Sequence, residues 1–294
     1  MKMQETGRLV DTIAQTRLER RGFLTRAGLA GLGAAATLTL GNVRAGAESA
    51  AERAQEKAQA MDTVKEIFTA ALIAEDLATT FYYNGLVGPV IQDVNLAGPG
   101  GSATNVQSSG NPGNVNYLQA ALTQEIAHAD LFRSLLGISS PSADPVQTFY
   151  FPAGTFDSLA VFTGLLDALE NAFIGAYLNA IQEFSVKSAH GDDRDGSKYS
   201  PEQLDYFAKV AATIMGVEAE HRVLGRVISN TNPANNLAYE QTDGLNAVYN
   251  GPKSAVAALT PFLTPSTGPG YSLATALANQ GSVAIAVTGN PPAF

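Results

Sequence analysis

An all-α architecture is what these 294 residues predict: four long helices in a bundle, long connections between them, and an irregular C-terminal extension. Three observations carry that reading. Four extended stretches repeat apolar residues at intervals of three and four. Two of those stretches carry the same Glu-x-x-His spacing. The segments between them are rich in Gly, Pro, Asn and Ser, which a helix does not tolerate in quantity.

The composition bounds the chemistry. At 45% hydrophobic and 15% charged residues, the chain holds enough apolar material for a substantial core while leaving a surface that is largely neutral and polar. There is no cysteine, so disulfides, thiolate metal sites, iron-sulfur clusters and a thiol nucleophile are excluded. A metal would have to be held by carboxylates and imidazoles.

The N-terminal stretch "RLERRGFLTRAGLAGLGAAATLTLGNVRAGA" resembles a twin-arginine export signal, with Arg20-Arg21-Gly22-Phe23-Leu24, a mildly apolar run, and small residues at Ala45 and Ala47 for cleavage. A membrane anchor or buried helix fits less well, because Gly28, Gly31, Gly33 and Arg26 interrupt the run. Residues 1–47 are therefore expected to be removed, leaving a periplasmic or extracellular protein with no stable membrane anchor. Those residues carry seven Lys/Arg and three Asp/Glu, so the remainder has 11 basic and 24 acidic residues, a net charge of −13. Nucleic acid is excluded as a partner, because phosphate binding rests on clustered positive charge. The twin-arginine route is known for carrying folded proteins, often with a cofactor in place, which favours a metal.

Residues 48–229 read as the bundle. The first helix runs from Glu48 to Leu86, with a stripe at Ile67, Ala71, Ala74, Ala78 and Phe81. The insert at 87–113 is a loop. The second helix runs from about Val115 to Leu136 and stops at Gly137. After a proline-containing connection, the third extends from about Asp157 to about Lys187. Ser200, Pro201 and Gln203 mark the start of the fourth. Residues 230–294 form a tail with three charged residues, Glu240, Asp243 and Lys253, and short helices near 253–259 and 272–279. It is too apolar for a free linker and is expected to pack on the bundle or on a neighbouring subunit of a homo-oligomer.

Each long helix places a glutamate within its apolar stripe. Glu75 and Glu170 stand alone; Glu125 is followed by His128, and Glu218 by His221. The two halves correspond. Glu125 follows Glu75 by 50 residues and Glu218 follows Glu170 by 48; Tyr82 and Tyr177 each lie seven residues after their glutamate; Arg133 and Arg226 each lie five after their histidine. Residues three apart share a helix face. Four glutamates and two imidazoles converging in a core are prohibitive as free charges. Two divalent cations resolve this, four negative charges against four positive, with one histidine for each ion.

This pattern resembles the ferritin-like di-iron carboxylate superfamily over about residues 62–229, with all six ligand positions filled by Glu75, Glu125, His128, Glu170, Glu218 and His221. The export signal, the insert and the tail are similar in layout to exported ferritin-like proteins of the desiccation-related group. The resemblance implies two metal ions, iron first and manganese second, and an oxidoreductase or ferroxidase-like activity on Fe(II), dioxygen or peroxide in stress protection. Two alternatives stay open: a structural or desiccation-protective protein in which the metal only stabilises, and manganese-catalase-like peroxide disproportionation, against which the symmetric ligand set counts. Tyr82 and Tyr177 are candidate catalytic residues if redox-active, or core tyrosines holding a ligand carboxylate. Arg133 and Arg226 are expected beside the site or at the surface. Asp76, Asp130 and Glu220 are expected in solvent, with Glu220 a seventh ligand if the helix register differs. His190 is expected in an exposed loop whose aspartates miss the spacing of a calcium loop.

Overall fold

The computed structural model describes residues 62–190, 198–235, 245, 247–265 and 268–285. The export-signal stretch, the charged run 48–61, the acidic loop 191–197, and Glu240 and Asp243 lie outside the described residues. Four long helices make the bundle: α1 (Val64–Val87), α2 (Pro112–Leu136), α3 (Leu159–His190) and α4 (Pro201–Ile228). Helices α1 and α2 form one antiparallel hairpin and α3 and α4 another; the α1–α3 and α2–α4 faces close the bundle. The described tail adds α5 (Ala255–Leu259) and α6 (Leu273–Asn279), and one small antiparallel ladder pairs β1 (Thr148–Tyr150) with β2 (Gly270–Ser272).

The helix ends follow local chemistry. Thr63 caps α1: its hydroxyl accepts from the Glu66 N–H at 3.1 Å while the Glu66 carboxylate accepts from the Thr63 N–H at 2.7 Å. The expected uninterrupted helix from Glu48 is thus corrected, because Thr63 is extended and α1 begins only after it; the Thr-x-x-Glu signal is the part of the sequence that marks it. Asn111 caps α2, and Gly137 closes it in the left-handed region at φ 71°. Ser200 and Gln203 form the capping box of α4. Helix α3 continues past Lys187 to His190, which is exposed at the helix terminus rather than in a loop.

Helix α1 is buried on nearly every side, not along one stripe. A helix in a simple four-helix bundle keeps a solvent face. Here the tail helices α5 and α6 pack on it, and the Pro89–Gln92 turn folds beneath its end. The Asp62 carboxylate ahead of α1 accepts from the N–H groups of Val248, Tyr249 and Asn250 at 3.0, 2.6 and 2.9 Å, fastening the tail to the start of the bundle. Far along the chain, Gln119 and Thr123 of α2 donate to the carbonyls of Val283 and Ile285, each at 2.6 Å.

The core is two apolar clusters at opposite ends of the bundle. One contains Val64 to Leu72 of α1, Ala129 and Phe132 of α2, Tyr177 to Phe184 of α3, and Leu204 to Ile214 of α4. The other contains Ile73 to Leu86, Val115 to Leu122, Leu159 to Phe173, and Leu224 and Ile228, together with Phe149, Phe151 and Phe156 from the connection before α3. Phe81 and Phe162 stack there with ring centres 4.4 Å apart. The helices meet closely at this end: a Cβ on Gly85 would lie 2.6 Å from the Phe162 ring.

Two glycine replacements test this packing. Gly85→Ala is expected to lower stability by about 1–3 kcal/mol, because the stacked Phe162 ring has nowhere to move. Gly164→Ala, in the same bundle but facing open space, is expected to raise stability by about 0.5–1 kcal/mol through lower chain entropy. Denaturant melts of both proteins check the pair.

Candidate metal centre

Between the two apolar clusters lies a polar layer to which every long helix contributes. Glu75 of α1, Glu125 and His128 of α2, Glu170 of α3, and Glu218 and His221 of α4 come together there. They form two groups with suitable spacing for a metal ion, Glu75–Glu125–His128–Glu218 and Glu125–Glu170–Glu218–His221, and within each group the ligand atoms lie within 4.8 Å of one another. Glu125 and Glu218 belong to both groups, so they sit where carboxylates would bridge two ions. All four glutamates and His221 are buried. The His128 side chain keeps 13% exposure and is the outermost of the six.

Both histidines turn Nδ1 inward. His128 Nδ1 lies 3.2 Å from Glu75, 3.4 Å from Glu218 and 3.7 Å from Glu125. His221 Nδ1 lies 2.8 Å from Glu125, 3.2 Å from Glu218 and 3.9 Å from Glu170. Both carboxylate oxygens of Glu125, Oε2 of Glu170 and Oε1 of Glu218 are buried without a hydrogen-bond partner, although the first of them approaches His221 Nδ1 to 2.8 Å. Buried polar atoms are normally satisfied. His128 bonds Glu75 and His221 bonds Glu218, each at 3.2 Å, but the remaining carboxylate oxygens are left facing the same space, so these residues fit a pair of divalent ions, with carboxylate and imidazole donors suited to iron or manganese.

The protonation pattern agrees with that need. Burial pushes the carboxyls of Glu75 and Glu170 well above their ordinary value, reinforced in each case by Glu218. Burial opposes charge on His128, but Glu75 and the other carboxylates outweigh it and raise that imidazole well above its usual value; Glu125 does the same for His221. For Glu125, burial works upward and is overcome by His221, which holds the group ionised. Protons therefore supply the positive charge that two cations would otherwise bring.

Tyr82 and Tyr177 exchange partners between helices. Tyr82 on α1 donates to Glu170 of α3 at 2.7 Å, and Tyr177 on α3 donates to Glu75 of α1. The equal seven-residue spacings in the sequence become a crossed pair in space. Each phenol is buried and is held in its neutral form, first by burial and then by the carboxylate it touches. Gln124, which sequence reasoning missed, accepts through its amide oxygen from His221 Nε2 at 3.0 Å and fixes the ring from behind. Its only sequence signal was its place beside Glu125.

Around the site, Asp76 requires a correction. It is fully buried rather than solvated, because Arg133 bonds it at 2.5 Å while also binding Asp144 and Asp130, each at 2.8 Å. Burial lifts the Asp76 carboxyl to about 8 against the pull of Arg133, with Asp144 adding to the rise. Asp130 is exposed and Glu220 faces solvent, away from the ligand cluster. Arg226 pairs with Asp167 at 2.7 Å, and Arg222 bonds Asn171 at 3.0 Å.

Residues 63–191 match the family model described as a ferritin-like domain, and the architecture is ferritin-like. That span contains Glu75, Glu125, His128 and Glu170; Glu218 and His221 follow it in α4 and join the cluster through the fold. No curated protein and no solved structure matches the chain.

Two consequences can be measured. For the metal-free protein, the raised Glu75 and Glu170 favour folding while protonated, so stability falls as pH rises above the ordinary carboxyl value of 4.5. The raised imidazoles act in the same direction, their contribution fully present below 6.5 and lost as pH climbs through their folded values. Metal must displace these protons, so affinity is expected to increase with pH, with proton release visible in calorimetry across buffers of different ionisation enthalpy. Gln124→Ala is expected to loosen metal affinity by about 10–100-fold at the His221 group while leaving the His128 group nearly unchanged, read as two separate phases of metal transfer to a chelator.

Proposed function

We propose that this protein is an exported di-metal oxidoreductase with ferroxidase-like activity, oxidising ferrous iron with dioxygen or peroxide outside the cytoplasm as protection against oxidative or desiccation stress. The observation that carries this reading is the pair of four-residue groups sharing Glu125 and Glu218, buried between apolar clusters. Two adjacent cation positions allow two ferrous substrate ions to give up one electron each, which balances a two-electron oxidant such as peroxide going to water.

The protein's own residues set the conditions. Glu125 and Glu218 join the two positions, and Glu75, Glu170, His128 and His221 complete them. Tyr82 and Tyr177 act as positioning residues, each holding the carboxylate of the opposite helix. The apolar clusters on either side exclude bulk water and strengthen electrostatics at the site. His128, with its partial exposure, marks the side from which ions arrive.

Stopped-flow absorbance on the protein lacking residues 1–47, mixed with ferrous iron and then with dioxygen or peroxide, tests the proposal. Ferric product forming faster than in protein-free buffer supports it. Glu170→Ala is expected to reduce bound metal from two ions to one and to abolish rapid oxidation. Two bound ions with no oxidation would leave a stabilising structural site, and peroxide disproportionation without ferrous iron would point to catalase-like chemistry. The export component is checked by replacing Arg20 and Arg21 with Lys, which is expected to retain the precursor in the cytoplasm.

A further inference from the structure

One cavity lies outside the carboxylate cluster and touches it. It runs between α1 and α3, it offers about 20 Å³ to a water-sized molecule, and among the described residues its walls are Ala, Val, Ile, Leu and Phe with a single tyrosine. Since roughly 10–15 Å³ on this measure holds a single water, the space suits one molecule about the size of water or dioxygen. The space exists because small residues face one another where a bundle would ordinarily place leucines: Ala70, Ala71 and Ala74 on α1 against Ala172, Ala176 and Ala180 on α3. Phenylalanines from several helices form the remaining walls, and Val248, Ala255 and Leu259 of the tail cover it. Ala172 and Ala176 keep partial exposure, which places the mouth on α3.

The tyrosine is Tyr177, whose hydroxyl is turned away from the cavity to donate to Glu75. Apart from that hydroxyl, no lining side chain among the described residues carries a polar atom. Water or peroxide inside would lose hydrogen bonds without replacement, at a cost of about 1–3 kcal/mol for each unsatisfied group. A small apolar molecule loses nothing, and apolar cavities stay dry and can take up an apolar atom such as xenon.

We propose that the crevice between α1 and α3 is a binding site for small apolar gas molecules, holding dioxygen beside Tyr177 at the Glu75 edge of the cluster. The site stands on its own geometry; only the identity of its occupant in the cell rests on the ferroxidase-like reading. Two approaches to the cluster are thereby separated by polarity. Ions reach it at the partly exposed His128, and dioxygen through an apolar passage that peroxide does not favour.

Crystals of the protein under xenon pressure test this directly, with no dependence on bound metal or turnover. Xenon density between α1 and α3 beside Tyr177 is expected, and its absence there overturns the proposal. Ala71→Leu is expected to remove that density and to slow ferrous oxidation by dioxygen several-fold, leaving oxidation by peroxide unchanged. Equal dioxygen rates in the two proteins, despite lost xenon, would overturn the delivery role. Should that variant fail to fold, Leu259→Ala widens the crevice and is expected to raise xenon occupancy. A xenon site in wild-type protein that consumes neither oxidant supports the binding site and defeats the ferroxidase reading, so the two fail separately.

Discussion

Four carboxylates and two imidazoles in a water-poor layer impose the constraint on which the rest of this molecule depends. Without compensation, the charge is intolerable at that depth. The protein tolerates it by holding protons on Glu75, Glu170 and both histidines, or by exchanging them for cations. Because every long helix contributes to the layer, helix register at the centre is set by these six residues, while the apolar clusters on either side set the spacing. A slip of one residue in any helix would turn one of these side chains away and leave its partners without a counter-charge.

The surrounding scaffold keeps that layer in place. Tyr82 and Tyr177 tie α1 and α3 to each other through Glu170 and Glu75, a reciprocal pair of bonds across the middle of the bundle. Arg133 gathers Asp76, Asp144 and Asp130, linking α1, α2 and the connection beyond α2 immediately beside the cluster. The tail covers the side of α1 that a bare four-helix bundle would leave to solvent. This explains why α1 is so poor in exposed charge and why its alanines can line an interior crevice rather than a surface. The same covering closes one side of that crevice through Val248, Ala255 and Leu259.

Much of the site was legible because its residues break a pattern. Glutamate and histidine inside apolar helical stripes are conspicuous in a chain with only three histidines, and their recurrence in two halves reveals a duplicated arrangement. Residues that follow the pattern left no such trace. Asp76 sits next to a ligand and looked like the polar face of a helix, yet it is buried by an arginine 57 residues away. Gln124 was hidden by its neighbour Glu125. The Ala-rich run before α1 has helical composition and hides the start of α1, which Thr63 and Glu66 fix by a local bonding pattern.

The sequence by itself determined the helical class, the order of the four helices and the six residues capable of binding metal, since these depend on periodicity and residue chemistry along the chain. Tertiary structure decided the rest: which carboxylates are shared, which tyrosine holds which glutamate, that α1 is enclosed by the tail, and that facing alanines leave an apolar crevice. Those features arise where residues far apart in sequence meet. The meeting is settled by packing of whole surfaces against one another, which no local pattern records.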